Sequence, residues 1–231
     1  MKAGIIAAGE GSRLRSEGIV VPKPLVPVCG IPLIERLIRT LEHHGISEIV
    51  CIVNEYSLEV KNFVESKKFS VPVRFVVKTT PSSMHSLFAL APYLHDDPFL
   101  LSTVDPIFDE NEFAGFLQYA QAHPAAHGIL AVTQFVDDEN PLYVQLDTDR
   151  RIVNFSKSEQ SPWVTGGLYF FSPTVFRDVD IVLKKNIERL RNFLNYLLQT
   201  GYRLEGYPFS KIIDVDHRSD IRVAEELLRA R

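Results

Sequence analysis

Near its amino terminus the chain spaces two glycines and two cations as a polyphosphate ligand would require. Apolar residues 3–8 run straight into Gly9 and Gly11, the pattern of a buried parallel strand that ends in a loop whose backbone a ligand can approach. Backbone N–H groups of Ala7, Ala8, Gly9, Gly11 and Ser12 are then candidates to meet phosphate oxygens. Arg13 and Lys23 add the positive charge that a triphosphate needs and a neutral ligand does not. Pro22 and Pro24 flank Lys23, disfavour helix over residues 21–23 and so pre-organise its ammonium. Together these residues predict a nucleoside triphosphate cradle, with Arg13 and Lys23 as the catalytic cations. The bland alternative is a glycine turn between a strand and a helix.

Two better-known phosphate motifs do not fit. The dinucleotide pattern G-x-G-x-x-G has Leu14 where its third glycine would stand, and no Gly-Lys-Ser or Gly-Lys-Thr closes a P-loop.

Further chemistry lies well downstream. Lys78 follows a predicted strand, and Ser82 or Ser83 is placed to cap the next helix. Asp105 arrives as the apolar run 98–105 ends, where a carboxylate faces a crevice and not the core. Asp214 and Asp216 alternate along an extended segment, which predicts that they share one face; Asp216 and Asp220 alternatively just begin a helix.

The elements that must position these groups read as strand, helix, strand, helix, strand. Residues 33–41 repeat apolar side chains at helical spacing until Gly45, residues 48–53 and 71–77 are strands, and residues 57–68 are a helix. Such an order predicts a parallel sheet wound with right-handed crossovers, whose ligands gather at the carboxyl ends of strands. Gly9, Asn54, Lys78 and Asp105 should therefore lie near one edge. Asp109 and Glu110 should open a helix running to residue 122. Beyond Gly128 short strands at 129–135, 143–147 and 152–155 are split by polar turns at 137–141 and 147–151, which predict hairpins. Residues 164–171 form a further strand carrying Gly166 and Gly167, where side chains would obstruct a ligand. Residues 181–198 read as one helix, residues 202–207 as an outer strand, and Ile221, Ala224, Leu227 and Leu228 as the stripe of a last helix.

The segments Ala7-Ala-Gly-Glu-Gly-Ser-Arg-Leu14, Pro22-Lys-Pro-Leu25 and Gly30-Ile-Pro-Leu33 resemble the signature of the nucleotidyltransferases that join a nucleoside triphosphate to a phosphorylated small molecule. Their best-known branch is the sugar-1-phosphate nucleotidyltransferases, or nucleotide-sugar pyrophosphorylases. The resemblance implies an α/β fold with a Rossmann-like, mostly parallel sheet flanked by helices and a smaller mixed β region for the acceptor. It also implies pyrophosphate release and a Mg2+ ion held by Asp105 and Asp216, with Asp214 in reserve. Lys78, Ser82 and Ser83 fall on the base-reading loop, where serines replace the usual Gly-Thr. Lys157, Gly166 and Gly167 fall on the acceptor pocket, with Ser156 in place of the glutamate that grips a sugar. Residues 80–87 bear a local likeness to phosphocholine cytidylyltransferases. An amino-alcohol phosphate is thus a second acceptor class, with Trp163 to face its cationic head. A nucleotide-binding regulatory subunit without catalysis is the third reading, and the retention of Arg13, Lys23, Asp105 and Asp216 speaks against it.

A chain of 231 residues suits one domain, with residues 1–125 as the nucleotide half and 126–231 as the acceptor half. Net charge −4 argues against a nucleic-acid partner. Without a charged-then-apolar leader or an apolar run near about 18 residues, cytoplasm is expected and a membrane is not. Cys29 and Cys51 read as packing residues, and assembly into a homo-oligomer is left open.

Overall fold

The computed structural model describes residues 1–136, 139–158 and 161–230. Its centre is a nine-stranded sheet. In the first half, β1 (Lys2–Ile6) leads through α1 (Ser12–Ser16), a one-turn 3-10 helix at Lys23–Leu25 and a small hairpin of β2 (Pro27–Val28) and β3 (Ile31–Pro32) into α2 (Leu33–His43). Then follow β4 (Glu48–Val53), α3 (Leu58–Glu65), β5 (Val73–Val77), α4 (Ser83–Leu94), β6 (Phe99–Thr103), β7 (Pro106–Phe108) and α5 (Glu110–Ala122). Strands β6, β1, β4 and β5 lie side by side and parallel. From β1 the chain winds outward to β4 and β5, then returns to the other side of β1 with β6. That reversal opens a crevice at the carboxyl ends of β1 and β6.

The second half contains β8 (Gly128–Thr133), β9 (Tyr143–Leu146), β10 (Ile152–Ser156), β11 (Trp163–Phe171), α6 (Val179–Lys184), α7 (Leu190–Gln199), β12 (Leu204–Phe209), β13 (Ile212–Asp214) and α8 (Arg218–Arg229). The expected hairpin of β9 and β10 forms, its turn held by the Asp147 carboxylate, which accepts from the N–H groups of Asp149 and Arg151. Strands β8 and β9 do not pair with each other. Strand β11 comes between them, antiparallel to both, because it is buried along most of its nine residues and takes the central place. The turn expected at 137–141 lies partly outside the described residues, since Asp137 and Asp138 are not among them.

Strand β11 also joins the two halves. On one side it follows β8; on the other it pairs with β9 at Trp163 and Val164, then with β6 from Leu168 to Phe171. Between those stretches, at Gly166 and Gly167, the opposite side is left unpaired and a cavity opens. Both glycines are sterically required. A Cβ on Gly166 would stand 2.3 Å from Ile212 Cδ1, and one on Gly167, at φ 73°, would stand 2.6 Å from Thr103 Oγ1. We expect Gly166→Ala to cost about 1–3 kcal/mol by overpacking, read as a lower urea midpoint. Adding Ile212→Val, which removes Cδ1, should recover part of the loss.

Helices α2, α3 and α5 cover one face of the sheet and α4 and α7 the other, each over an apolar core. The predicted helix 181–198 is two helices. It stops at Lys184 and resumes at Leu190, with Asn186 at φ 53° between them. Cys51 is buried, as expected of a packing residue, whereas Cys29 is exposed at a positive φ in the β2–β3 turn. Among the described residues no helix is long and apolar enough to cross a membrane.

Candidate active site

Five segments far apart in the chain meet at the carboxyl ends of β1 and β6. Gly11 turns the first loop with φ 60°, and its Cα faces Lys23 so closely that a Cβ would lie 2.9 Å from Lys23 Cβ. We expect Gly11→Ala to cost about 1–2 kcal/mol in left-handed backbone strain alone, measurable as a lower unfolding midpoint. Lys23 opens a 3-10 turn despite its proline neighbours, closed by the bonds Leu25 N–H to Pro22 O and Val26 N–H to Lys23 O. Proline is tolerated in a first turn because its missing N–H would have had no partner there.

The Lys23 ammonium is buried and donates to Asp105 Oδ2 and Asp216 Oδ1; Arg13 Nη1 donates to Asp216 Oδ2 at 2.6 Å. Burial opposes charge on Lys23, but the two carboxylates outweigh it and raise the ammonium above the ordinary lysine value. Burial likewise pushes the Asp105 carboxyl up, and the Lys23 charge and hydrogen bond bring it below the usual carboxylate value.

Asp105 and Asp216 are brought together by β7 and β13, which pair antiparallel directly after Asp105 and before Asp216. The Val215 N–H closes the gap by donating to Asp105 O at 3.2 Å. Asp216 does not cap α8; its own N–H donates to the Asp220 carboxylate at 3.0 Å, which also accepts from the His217 N–H. The shared face expected for Asp214 and Asp216 is absent. The strand ends at Asp214, the Asp216 N–H turns back to Asp214 O at 3.0 Å, and the two carboxylates line different cavities. Glu17 at the end of α1 accepts from the Arg218 N–H and pairs with His217 Nδ1, each at 2.6 Å. That bond is the main reason the His217 pKa is raised and the Glu17 pKa lowered. It ties α1, and with it Arg13, to the start of α8.

Two cavities meet here. One of about 320 Å³ is bounded by Ala7, Gly9, Gly11, Ser12, Arg13 and Lys23, and by Asp105 and Asp216. The other, about 370 Å³, lies under Gly166 and Gly167 and is walled by Asp214, Tyr169 and the first turn of α7. Ser83, Thr103 and Asp105 line both. Ser82 lines the second cavity and not the first, its hydroxyl donating to Glu188 O.

Three anticipated residues fall elsewhere. Ala8 lines neither cavity, and its carbonyl accepts from Asn54 Nδ2 at 3.1 Å. Lys78 follows the edge strand β5, two strands from β1, and is exposed. Lys157 follows the opposite edge strand β10, is exposed, and lines neither cavity. Trp163 is not part of the second cavity's wall either. Conversely, Thr103, Glu17, Arg189 and Arg191 belong to the site or its supports and had not been singled out. The arginines carried no signal, because a continuous helix would have left them as ordinary surface charges.

The donor set suits a divalent cation. Two carboxylates, of Asp105 and Asp216, converge on the Lys23 ammonium, and Asp105 Oδ1 is buried without a hydrogen-bond partner among the described residues. Magnesium is commonly held by one or two carboxylates, with waters and substrate phosphates completing its shell. No cluster of three or more His, Cys, Asp or Glu side chains is placed to hold a metal among the described residues.

The chain belongs to the nucleotidyl transferase family, whose family model, described as "Nucleotidyl transferase", matches residues 2–226. It is 27% identical over 192 residues to a mannose-1-phosphate guanyltransferase of Hypocrea jecorina, covering 78% of this chain and 52% of that protein. It is 25% identical over 236 residues to a bifunctional IPC transferase and DIPP synthase of Archaeoglobus fulgidus, covering 99% of this chain and 44% of the other. The chain thus spans about half the length of the curated relatives it matches. Among solved structures, the inositol-1-phosphate CTP transferase from T. maritima superposes with a TM-score of 0.85 at 23% identity, covering 99% of this chain and 95% of the other. A putative glucose-1-phosphate thymidylyltransferase from Bacillus anthracis gives 0.87 at 21%, covering 100% and 96%. These two likenesses bear on the fold, which is α/β with a mostly parallel sheet flanked by helices, as the sequence predicts.

Proposed function

We propose that this chain transfers a nucleotidyl group from a nucleoside triphosphate to a phosphorylated small molecule, a sugar or polyol phosphate, with release of pyrophosphate. One observation carries the reading: two cavities join at Asp105, with Lys23, Arg13 and Asp216 converging on the junction. One cavity suits the triphosphate and the other the acceptor.

The reaction is attack by an acceptor phosphate oxygen on the α-phosphorus, with the α–β bridging oxygen leaving on pyrophosphate. No covalent enzyme intermediate is needed, because the acceptor is already anionic. The protein must align two anions and offset their repulsion. Gly9, Gly11 and Ser12 offer backbone N–H groups to the phosphates, Arg13 is assigned to the β- and γ-phosphates, and Lys23 to charge building at the α-phosphoryl. Asp105 and Asp216 would hold Mg2+, which when bound neutralises phosphate charge and favours departure of pyrophosphate. Ser83, at the start of α4 and on both cavities, is assigned to the nucleotide; Gly166 and Gly167 make room for the acceptor.

Pyrophosphate release should be measured with magnesium across four nucleoside triphosphates and a panel of phosphorylated sugars, polyols and amino alcohols. At least one pair is expected to release pyrophosphate in step with a nucleotide-linked product. Silence across the whole panel would defeat the proposal.

A further inference from the structure

Helix α1 carries Arg13 and has little of its own to hold it in place. It is five residues long, far short of the roughly 12 that an isolated helix needs in water. Gly11 at its N-cap offers no side chain to the first N–H groups, and Leu14 is its one buried residue, set in an apolar cluster with Val28, Ile213 and Val215. A single apolar anchor fixes where the helix lies but not how it is turned about that point.

Glu17, which caps the far end, is the second anchor. Its N–H donates to Arg13 O at 3.2 Å, so the two side chains stand one turn apart on one face, and both meet the stretch 216–218. Arg13 Nη1 donates to Asp216 Oδ2, while Glu17 accepts from the Arg218 N–H and pairs with His217 Nδ1. The Asp220 carboxylate accepts from the N–H groups of Asp216 and His217, so the stretch being gripped is itself fixed. The Glu17 bonds end on a backbone N–H and an imidazole and not on the Asp216 carboxylate. They therefore hold α1 whether Arg13 donates to Asp216 or to a phosphate. Glu17 itself lines neither cavity.

We propose that Glu17 is a positioning residue: by fastening α1 to the start of α8 it holds the Arg13 guanidinium at the first cavity, so that affinity for a triphosphate depends on Glu17 through Arg13. This rests on the nucleotidyl-transfer reading and adds to it a residue that touches no substrate.

Inorganic tripolyphosphate, which carries neither base nor acceptor, is the probe. Its binding to the whole chain is measured by calorimetry at constant magnesium in wild type, R13A, E17A and E17Q, and in E17A and E17Q each combined with R13A, beside the unfolding midpoint and pyrophosphate release. R13A and E17A should each bind about tenfold more weakly than wild type, the loss expected of one charge-assisted contact. E17Q, whose amide oxygen can still accept from Arg218, should recover part of that loss. Each double variant should bind within about twofold of R13A, because Glu17 then has no guanidinium left to position. A purely structural role would instead weaken R13A as much as it weakens wild type. That result overturns the proposal, as does E17A within about twofold of wild type, or a wild type that binds no tripolyphosphate; the E17Q pair supplies the same comparison where alanine unfolds the chain. Calorimetry needs no turnover, so failure of nucleotidyl transfer is distinguishable, appearing as the expected affinities without pyrophosphate release.

Discussion

Replacing Lys23 by alanine is expected to lower kcat by about 100-fold, a loss of roughly 3 kcal/mol in the transition state, with the fold retained. The ammonium is aimed at the point where the two cavities join, and no other lysine lines the first cavity among the described residues. The substitution should also cost about 3 kcal/mol of stability near neutral pH, because Asp105 is then left as a buried charge without its partner. The pH dependence gives a separate signature. In wild type the Asp105 pKa is lowered, so its contribution to stability is present above the unfolded carboxylate value and lost as pH falls through the folded one. In the variant burial dominates and the folded value moves above the unfolded one, so the variant is relatively most stable in acid. The gap between the two proteins should therefore widen as pH rises from about 4 to 7. Urea midpoints across that range, with pyrophosphate release at neutral pH, test both parts. Near-normal turnover, or a gap that narrows with rising pH, would count against the assignment.

Asp105→Asn should be the more damaging change for activity, with kcat/KM falling by about 10³-fold or roughly 4 kcal/mol. The carboxylate lines both cavities and presents an oxygen with no hydrogen-bond partner among the described residues. An amide keeps the shape but removes the charge that a divalent cation requires. Stability should change less than in the lysine variant, since Lys23 keeps its bond to Asp216. The direct readout is manganese binding followed by electron paramagnetic resonance with nucleotide present. Wild type should immobilise the ion and the variant should do so at least tenfold more weakly. Equal binding would remove Asp105 from the metal site.

The first half of the fold was legible because its signals are local. Apolar runs of strand length alternate with a helical stripe at Leu33, Leu37 and Leu41, and β4 spans Glu48–Val53, the bounds its residues suggest. Asp109 caps α5 through its own carboxylate, as the pattern before an apolar helix predicts. The second half was less legible because strand pairing there is not sequential. No turn signal says that β11 displaces β9 from β8, and no glycine or proline marks the break at Asn186.

The same division holds at the site. Residue types and short spacings were enough to single out Arg13 and Lys23, which line one cavity with Gly9 and Gly11, since glycine conformational freedom and proline constraint act within a few bonds. Tertiary structure alone decided that Arg189 and Arg191 line the second cavity and that Lys78 and Lys157 line neither, because an exposed edge and a cavity wall look alike in one dimension. It also decided which aspartate joins Asp105. That choice rests on the β7–β13 ladder and on one backbone bond from Val215, contacts between segments about a hundred residues apart that no local pattern encodes.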